Sequence, residues 1–403
     1  GLVGSEMCIR DRSEIEPMIQ GQHRFARMDN VVFGKPAAEA IAQESARRGA
    51  ERVFIVGSKS LYETTDEIAK VEAALGARHG GTFVGIPAHS PRDAVVECAE
   101  KAAAADADLL VTFGGGSVTD ATKVVQICLK HQVFSVEGLD EFRVRIDDNG
   151  TSTVPDFAGP DVRQISVPTT LSGGEFNPLG GCTDPRHKVK QSFTHPDLVP
   201  VSVVLDPAPT VHTPEWLWLS TGMRAVDHCV EGLCSQYLNP FAEGALLHGL
   251  KLLAEGLPAV KTDASDLDAR LKCQLGAWMS MTGNIPKGLS HAIGHILGGS
   301  CDVPHGYTSC VMLPAALAWN EPVNGDRQAI VAAAMGKTGE RASDVLAKFI
   351  LNLGLPRTLG DVAVGEDQFD LIARNTMHDR WTHTNPRKVS GPGDIRQVLS
   401  LAL

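Results

Sequence analysis

Three histidines lie within fifteen residues of one segment, IPKGLSHAIGHILGGSCDVPHG, and their spacing could hold a metal ion or move a proton. His291 and His295 are four residues apart, and the apolar spacing of LSHAIGHIL predicts a helix that carries both imidazoles on one face. His305 follows a Gly-Gly break and stands directly after Pro304, so we expect the helix to end before it. Separate core or solvated histidines are the alternative interpretation.

A second run, TGMRAVDHCVEGLCSQ, predicts a helix with Arg224, His228 and Glu231 on one face, at positions i, i+4 and i+7. A guanidinium one turn from an imidazole would matter for chemistry if this face meets the three histidines. An ordinary salt bridge between Arg224 and a neighbouring acid is the alternative.

The segment DLLVTFGGGSVTDATK runs from a buried strand through Gly114, Gly115 and Gly116 into a helix that opens near Ser117. Three glycines let the backbone approach a ligand closely, and the free N–H groups at a helix start attract a pyrophosphate. The pattern is neither GxGxxG nor a P-loop, and a tight structural turn is the alternative interpretation.

A polar loop, VPTTLSGGEFNPLGGCT, follows the next predicted strand and places Thr169, Thr170 and Ser172 among four glycines. Loops of hydroxyls and glycines at strand ends commonly serve a cofactor. Lys190 lies downstream, where it could reach a ribose or a phosphate. A disordered surface loop and a solvated lysine are the alternatives.

Short β-rich runs alternate with helical patterns through the first half of the chain: VFIV, TFVGI, LLVTF, QISV and VSVVL. This rhythm predicts a mostly parallel sheet covered by helices, with ligands at the carboxyl ends of the strands. From Pro214 onward the periodicity is mainly helical. We therefore predict an α/β domain at residues 23–208 and an all-α domain that carries the histidines at residues 209–403.

The composition of the 403 residues, with a formal net charge of -11, argues against a nucleic-acid or anionic-membrane partner and leaves small-molecule substrates open. No apolar run approaches the ~20 residues of a transmembrane helix. Nine cysteines without a CxxC pair indicate reduced thiols and a cytoplasmic location. The opening GLVGSEMCIRDR lacks the layout of a signal peptide, and we expect residues 1–22 to be extraneous or disordered.

With these motifs assembled, the chain from about His23 to its end resembles the iron-containing, or group III, alcohol dehydrogenases, whose fold is that of dehydroquinate synthase relatives. GGGSVTDATK, VPTTLSGGE, GMRAVDHCVE and HAIGHILGG to PHG occur in the family's order and spacing. The resemblance implies a dinucleotide-binding α/β domain, an all-helical second domain, and hydride transfer between NAD(P)H and a small carbonyl or enoate compound. The implied cofactor contacts are Gly114, Gly115, Gly116, Ser117, Asp120, Thr169, Thr170, Ser172 and Lys190.

The resemblance also implies a metal site made of one aspartate and three histidines. The histidines correspond to His228, His291 and His305, which would be the ligands if a metal is bound, and His295 corresponds to an active-site histidine that is not a ligand. The aspartate position is Arg224. Because a guanidinium is a permanent cation that cannot ligate, we predict that no metal is bound and that Arg224 takes over its electrostatic role.

One branch of this superfamily, the maleylacetate reductases, is metal-independent and carries an Asn-Pro-Arg element that resembles Asn385, Pro386 and Arg387. The branch usually reads PTTYAGSE where this chain has PTTLSGGE. We predict reduction of a carboxylated oxo or enoate compound whose carboxylates are held by two arginines, with His295 or His228 supplying the proton. The predicted catalytic set is His295, His228, Arg224, His291, His305 and Arg387.

The choice of cofactor depends on the strand that ends in IVGSKS. Family members that prefer NAD often have an acidic residue there, whereas Ser58 and Lys59 would accommodate a 2′-phosphate, so NADP is favoured over NAD. A homodimer is expected. Three alternatives stay open: an iron- or zinc-dependent alcohol or aldehyde dehydrogenase, a lyase on the same fold, and a non-catalytic nucleotide-binding protein.

Overall fold

The computed structural model describes residues 22–146 and 152–403, so the prediction for residues 1–22 lies almost entirely outside the described residues. The described part of the amino-terminal half contains ten strands. They are β1 Asn30–Phe33, β2 Val53–Gly57, β3 His79–Phe83, β4 Leu109–Gly114, β5 Arg145–Ile146, β6 Ser152–Thr153, β7 Arg163–Pro168, β8 Leu179–Asp184, β9 Val189–Thr194 and β10 Ser202–Leu205.

Thirteen α-helices accompany these strands in the described residues. They are α1 Ala37–Arg47, α2 Lys59–Thr64, α3 Glu67–Leu75, α4 Arg92–Ala104, α5 Gly116–His131, α6 Glu215–Cys234, α7 Pro240–Thr262, α8 Leu267–Ser280, α9 Leu289–Ser300, α10 His305–Ala334, α11 Ala342–Asn352, α12 Phe369–Thr376 and α13 Pro392–Ser400. None of the described helices is long and apolar enough to cross a membrane.

Six strands form one parallel sheet in the order β1, β10, β7, β4, β2, β3. The predicted runs coincide with or overlap five of them, whereas β1, NVVF, was not predicted. Two antiparallel hairpins, β5 with β6 and β8 with β9, were also missed. The predicted α/β architecture is confirmed.

Alternate residues of the central strands face two separate cores. Val53 and Ile55 pack with α1 and α3 on one face, while Phe54 and Val56 pack with α4 and α5 on the other. Because both faces are covered by helices, nearly every residue of β2 and β4 is apolar and buried. The carboxyl ends of these strands therefore open toward the loops that were predicted to hold a cofactor.

The carboxy-terminal half is helical throughout, as predicted, and α6 runs through its middle. Every residue from Trp218 to Cys234 on α6 is buried. A helix buried on all sides must also bury the polar residues in its sequence, and here these include Arg224, Asp227 and His228. Such groups require partners inside the protein.

The loop after β7 joins the two halves. Thr213 Oγ1 donates to the carbonyl of Thr169 at 2.7 Å, and Thr221 Oγ1 accepts from the backbone N–H of Leu171 at 3.1 Å. Thr221 lies on α6, three residues before Arg224. The predicted cofactor loop is therefore within one helical turn of the residue that replaces the family's aspartate.

Candidate active site

The four predicted histidines form a row. The ring centroids of His228 and His291 are 4.9 Å apart, those of His291 and His295 6.4 Å, and those of His295 and His305 6.2 Å. As predicted, the helix that carries His291 ends before His305, which begins α10 behind Pro304. The Gly-Gly pair that we interpreted as a break lies inside α9, because the helix continues to Ser300.

The start of α9 fixes the ring of His291. Glu231 on α6 accepts from the backbone N–H groups of Gly288 at 2.9 Å and Ser290 at 2.8 Å, and its Oε2 lies 2.8 Å from His291 Nδ1. The first N–H groups of a helix have no partner within the helix and carry a partial positive charge. The buried carboxylate of Glu231 accepts from these N–H groups and balances their partial positive charge. It also orients the imidazole of His291.

A buried lysine supports the neighbouring histidine. Lys287 Nζ donates to the carbonyl of His228 at 2.9 Å, and burial lowers the pKa of Lys287 to about 8. His228 is 8% exposed, and its pKa is well below the usual range, first because of burial and then because of nearby positive charges. At pH 7 His228 is therefore a neutral imidazole.

Arg224 lies among these groups and is 4% exposed. Its Nη1 donates to Ser309 Oγ at 3.1 Å and lies 3.9 Å from Asp227 Oδ2, to which Ser309 Oγ donates at 2.6 Å. A salt bridge between Arg224 and a neighbouring acid was the alternative interpretation of the sequence. It is present between Arg224 and Asp227, at the long distance of 3.9 Å. The charge of Arg224 is also the chief cause of a lowered pKa at His305, so the guanidinium acts directly on the histidine row.

His295 pairs with an aspartate that the sequence did not predict. His295 Nδ1 and Asp379 Oδ2 are 2.8 Å apart, and the two side chains are 35% and 14% exposed. Burial lowers the pKa of His295, although the carboxylate of Asp379 opposes this. Asp379 is 84 residues away in the chain and stands in an irregular segment, so no local pattern identified it.

Arg387 packs against Trp319. Its Nη1 donates to the carbonyl of Trp319 at 2.8 Å, and its guanidinium carbon lies 4.0 Å from the centroid of the Trp319 ring. The neighbouring Asn385 accepts from the backbone N–H of Leu289 at 3.1 Å and so caps α9. These contacts hold the Arg387 guanidinium against Trp319, and its convergence with Arg224 on the substrate stays a prediction.

The predicted cofactor residues gather at the carboxyl ends of β2, β4 and β7. A Cβ placed on Gly114 would lie 3.2 Å from Ser58 Cβ, one on Gly115 would lie 3.1 Å from Thr170 Cγ2, and one on Gly116 would lie 3.2 Å from Ser172 Oγ. Larger residues at these positions would crowd Ser58, Thr170 and Ser172, so the close packing of the loop favours glycine. Pyrophosphate binding at the start of α5 stays a prediction.

Three further predicted cofactor residues are Lys190, Asp120 and Ser117. A Cβ placed on Gly181 would lie 3.2 Å from Lys190 Nζ and 3.4 Å from Asp120 Oδ2. Ser117 Oγ accepts from the backbone N–H of His89 at 3.3 Å. The sequence did not identify Lys123, whose buried Nζ donates to the carbonyls of Gly174 at 2.6 Å and Leu179 at 2.7 Å and so fixes the shape of the loop.

One cluster of ligand-type atoms beside Arg224 has a spacing that disfavours a divalent metal ion. Within the described parts of the chain, Asp227, Glu231 and His291 have ligand-type atoms within 4.8 Å of one another. His291 Nδ1, however, is only 2.8 Å from Glu231 Oε2, which is a hydrogen bond, whereas two ligands of one tetrahedral zinc ion are about 3.4 Å apart. A guanidinium about 4 Å from a divalent ion would also repel it by roughly 8 kcal/mol at an effective dielectric of about 20.

Some buried nitrogens of the row nevertheless lack a protein partner. Among the described residues, His228 Nδ1 and His291 Nε2 have none. These atoms are the donor type that a metal prefers. The nearby charge of Arg224 favours an anionic ligand over a cation beside these atoms.

Comparison with known proteins identifies two matching family regions. Residues 29–207 match the family described as iron-containing alcohol dehydrogenase, and residues 218–403 match the family described as Fe-containing alcohol dehydrogenase, C-terminal. The two regions together cover the sheet and the helical half.

Individual relatives agree along their whole length. A protein of Alternaria alternata named Dehydrogenase ALT3 is 36% identical over 377 residues, which are 84% of this chain and 95% of that protein. A maleylacetate reductase of Rhizobium sp. (strain MTP-10005) is 30% identical over 375 residues, 92% of this chain and 95% of that protein. The crystal structure of maleylacetate reductase from Agrobacterium tumefaciens is similar with a TM-score of 0.81 at 28% identity, covering 96% of this chain and 99% of that one.

Proposed function

Because the chain belongs to the iron-containing alcohol dehydrogenase family and is therefore an NAD(P)-dependent oxidoreductase, we propose that it reduces a small carboxylated oxo or enoate compound without a metal ion. The observation that carries this proposal is the buried guanidinium of Arg224 beside the histidine row. A cation in this position favours an anionic substrate and opposes a metal.

The hydrogen bonding of Arg224 supports binding of a carboxylate. A guanidinium has five N–H donors in a planar fork, and among the described residues Arg224 donates one hydrogen bond, to Ser309. The remaining donors can form the two parallel bonds that a carboxylate accepts. Maleylacetate, which the names of several relatives specify for those proteins, is a dicarboxylate.

The roles of the protein groups follow from their charges. NAD(P)H, when bound at the Gly114–Gly116 loop, supplies the hydride. Arg224 holds the substrate and stabilises the negative charge that develops on its oxygen, which is the role that preorganised charges play in many enzymes. A histidine of the row then supplies a proton. His295 is better suited than His228 as the proton donor, because its side chain is 35% exposed whereas His228 is buried.

NADPH is the cofactor that we favour. Ser58 precedes α2, its hydroxyl lies 3.0 Å from that of Ser60, and Lys59 is exposed beside it. Without a carboxylate at Ser58 or Lys59, a 2′-phosphate meets hydroxyls and a cation instead of repulsion. A homodimer and a cytoplasmic location stay predictions.

A second candidate is a metal-dependent alcohol or aldehyde dehydrogenase. It is favoured by the unpartnered nitrogens of His228 and His291 and by the nearby carboxylates of Asp227 and Glu231. Such an enzyme would accept uncharged aldehydes and lose activity to a chelator. Tight NADPH binding without turnover of any substrate would instead indicate a non-catalytic nucleotide-binding protein.

A substrate panel tests the proposal. The purified protein is supplied with NADPH or NADH and with maleylacetate, related oxo acids, or uncharged aldehydes of similar size, and the loss of absorbance at the nicotinamide band is followed with and without chelator. We expect turnover of the carboxylated compounds, unaffected by the chelator and faster with NADPH. Preference for uncharged aldehydes together with chelator sensitivity would contradict the proposal.

A further inference from the structure

We propose that Asp379 is a positioning residue that aligns His295 as the proton donor of the reaction, an inference that rests on the proposed reductase function. The basis is the direct contact between Asp379 Oδ2 and His295 Nδ1 at 2.8 Å. None of the sequence patterns and none of the family motifs that we matched included Asp379.

The four histidines of the row differ in what holds them and in how open they are. His291 is 3% exposed and its Nδ1 is bonded to Glu231, so it is sealed inside the helical core. His228 is also buried, whereas His305 is exposed and has its pKa lowered chiefly by the charge of Arg224. His295 alone among the four combines a carboxylate on Nδ1 with a side chain that is one-third exposed.

The geometry of the imidazole determines what this pair does. The two ring nitrogens point in opposite directions, so a bond from Nδ1 to Asp379 directs Nε2 away from the carboxylate. Which nitrogen carries the proton is set by the partner of the other one. A carboxylate accepts only, and it therefore requires the proton on Nδ1 and stabilises the imidazolium that carries a second proton on Nε2.

Asp379 is itself held in place by the backbone. Its Oδ1 accepts from the backbone N–H of Trp381 at 2.8 Å, at the start of the short helical turn Arg380–Thr384. Thr382 Oγ1 donates to the carbonyl of Thr376 at 2.6 Å, and Thr384 Oγ1 donates to that of Lys287 at 2.7 Å. Both ends of the turn are thus anchored, one of them next to the start of α9.

The proton step balances as follows. As the hydride reaches the substrate, the Nε2–H bond of the His295 imidazolium breaks and its electron pair stays on nitrogen, while an O–H or C–H bond forms on the substrate. The product leaves neutral His295 with its remaining proton on Nδ1, still bonded to Asp379. Asp379 stays ionised throughout, and a proton from water restores the imidazolium.

The variant Asp379→Asn tests whether Asp379 orients His295 or only packs against it. The amide has the shape of the carboxylate, and its oxygen can still accept from Trp381, which leaves the NH₂ group facing His295 Nδ1. An N–H donor there moves the ring proton to Nε2 and disfavours the imidazolium. A comparable aspartate-to-asparagine change in serine proteases acts through the wrong tautomer.

Steady-state kinetics and histidine ¹⁵N NMR form the test. We expect Asp379→Asn to lower kcat about 10²-fold, the usual contribution of general acid catalysis, with KM nearly unchanged. His295→Gln should lower kcat by a similar factor, and the double variant should be no slower than His295→Gln alone because both changes remove one function. In the NMR spectrum neutral His295 should carry its proton on Nδ1 in the wild type and on Nε2 in Asp379→Asn.

Asp266→Asn is the matched control, because Asp266 also caps a helix, accepting from the backbone N–H of Ala269 at 2.9 Å, and lies on another element. It should leave kcat unchanged. An unchanged tautomer, additive effects in the double variant, or wild-type kcat in His295→Gln would overturn the proposal. If the wild type reduces no carboxylated compound at all, the proposed function fails, and the NMR result still decides whether Asp379 sets the tautomer of His295.

Discussion

At the scale of single residues, the chemistry of the site depends on which charged side chains α6 carries. Arg224 stands at the family's aspartate position, and Asp227, three residues later, is fully buried and supplies the compensating negative charge. Burial would raise the pKa of Asp227, but His291, Arg224 and Ser309 hold it below the usual value. The guanidinium of Arg224 is therefore buried beside a carboxylate that balances its charge.

Substitution of Arg224 should lower kcat/KM mainly for charged substrates. Arg224→Lys keeps the charge but loses the fork, and we expect kcat/KM for a carboxylated substrate to fall about 10-fold to 100-fold. Arg224→Ala removes a preorganised donor in the site and should lower kcat/KM by about 10²-fold to 10³-fold. The measurement is kcat/KM with maleylacetate or another accepted oxo acid, beside that for an uncharged aldehyde.

The alanine variant has a second effect, so the lysine variant serves as its control. Removing the guanidinium leaves Asp227 buried without its cation, which should cost roughly 3 kcal/mol of unfolding free energy. Arg224→Lys should retain most of that stability in denaturant unfolding. Equal losses for charged and uncharged substrates would argue against a role of Arg224 in recognising carboxylates.

The residues that the sequence identified were those with a local pattern. His291 and His295 lie one turn apart, and the glycines of residues 114–116 lie between a strand and a helix, so their spacing alone was enough to predict them. Asp379 and Lys123 act through partners 84 and 51 residues away, so their contacts could not be predicted from their neighbours in the chain, although Lys123 ends the motif GGGSVTDATK. The contact of Arg387 with the Trp319 ring was not predicted, because its family motif carries no information about which ring its guanidinium contacts.

At the scale of elements, the start of α9 decides the orientation of the histidine row. Glu231 from α6 and Asn385 from the carboxy-terminal segment both accept from its first N–H groups. The helix itself was predicted from its apolar spacing. Its caps come from two distant segments, so they could not be predicted without the fold.

Glu231→Gln should weaken this arrangement. The amide can accept at one atom only, so at least one buried partner among Gly288, Ser290 and His291 loses its bond. We expect a loss of about 1–3 kcal/mol in unfolding free energy, the cost of one unsatisfied buried group. Denaturant unfolding monitored by circular dichroism provides the measurement.

Glu243→Gln is the matched control. Glu243 on α7 pairs with Arg327 at 2.8 Å, but both side chains are over 30% exposed. An exposed ion pair contributes only about 0–1 kcal/mol, so this variant should unfold almost like the wild type. If Glu231→Gln is no less stable than Glu243→Gln, the capping role of Glu231 is wrong.

At the scale of the whole molecule, the parallel sheet and the helical half place two sets of residues side by side. The loop after β7 bonds to Thr213, just before α6, through Thr169 and to Thr221 on α6 through Leu171, which brings this loop close to Arg224. The alternation of strands and helices predicted this two-part architecture. The contact between the parts depends on single hydroxyls, such as that of Thr221, which no periodicity reveals.

Metal content tests the central claim most directly. The protein is purified, incubated with excess iron(II) or zinc(II), freed of unbound ions and analysed for metal, in parallel with Arg224→Asp, which restores a carboxylate beside the three histidines. We predict that the wild type binds no stoichiometric metal and oxidises NADPH equally well before and after chelation, whereas Arg224→Asp gains metal. Near-stoichiometric metal in the wild type, with activity that a chelator abolishes, would contradict the assignment of Arg224 and favour the metal-dependent dehydrogenase.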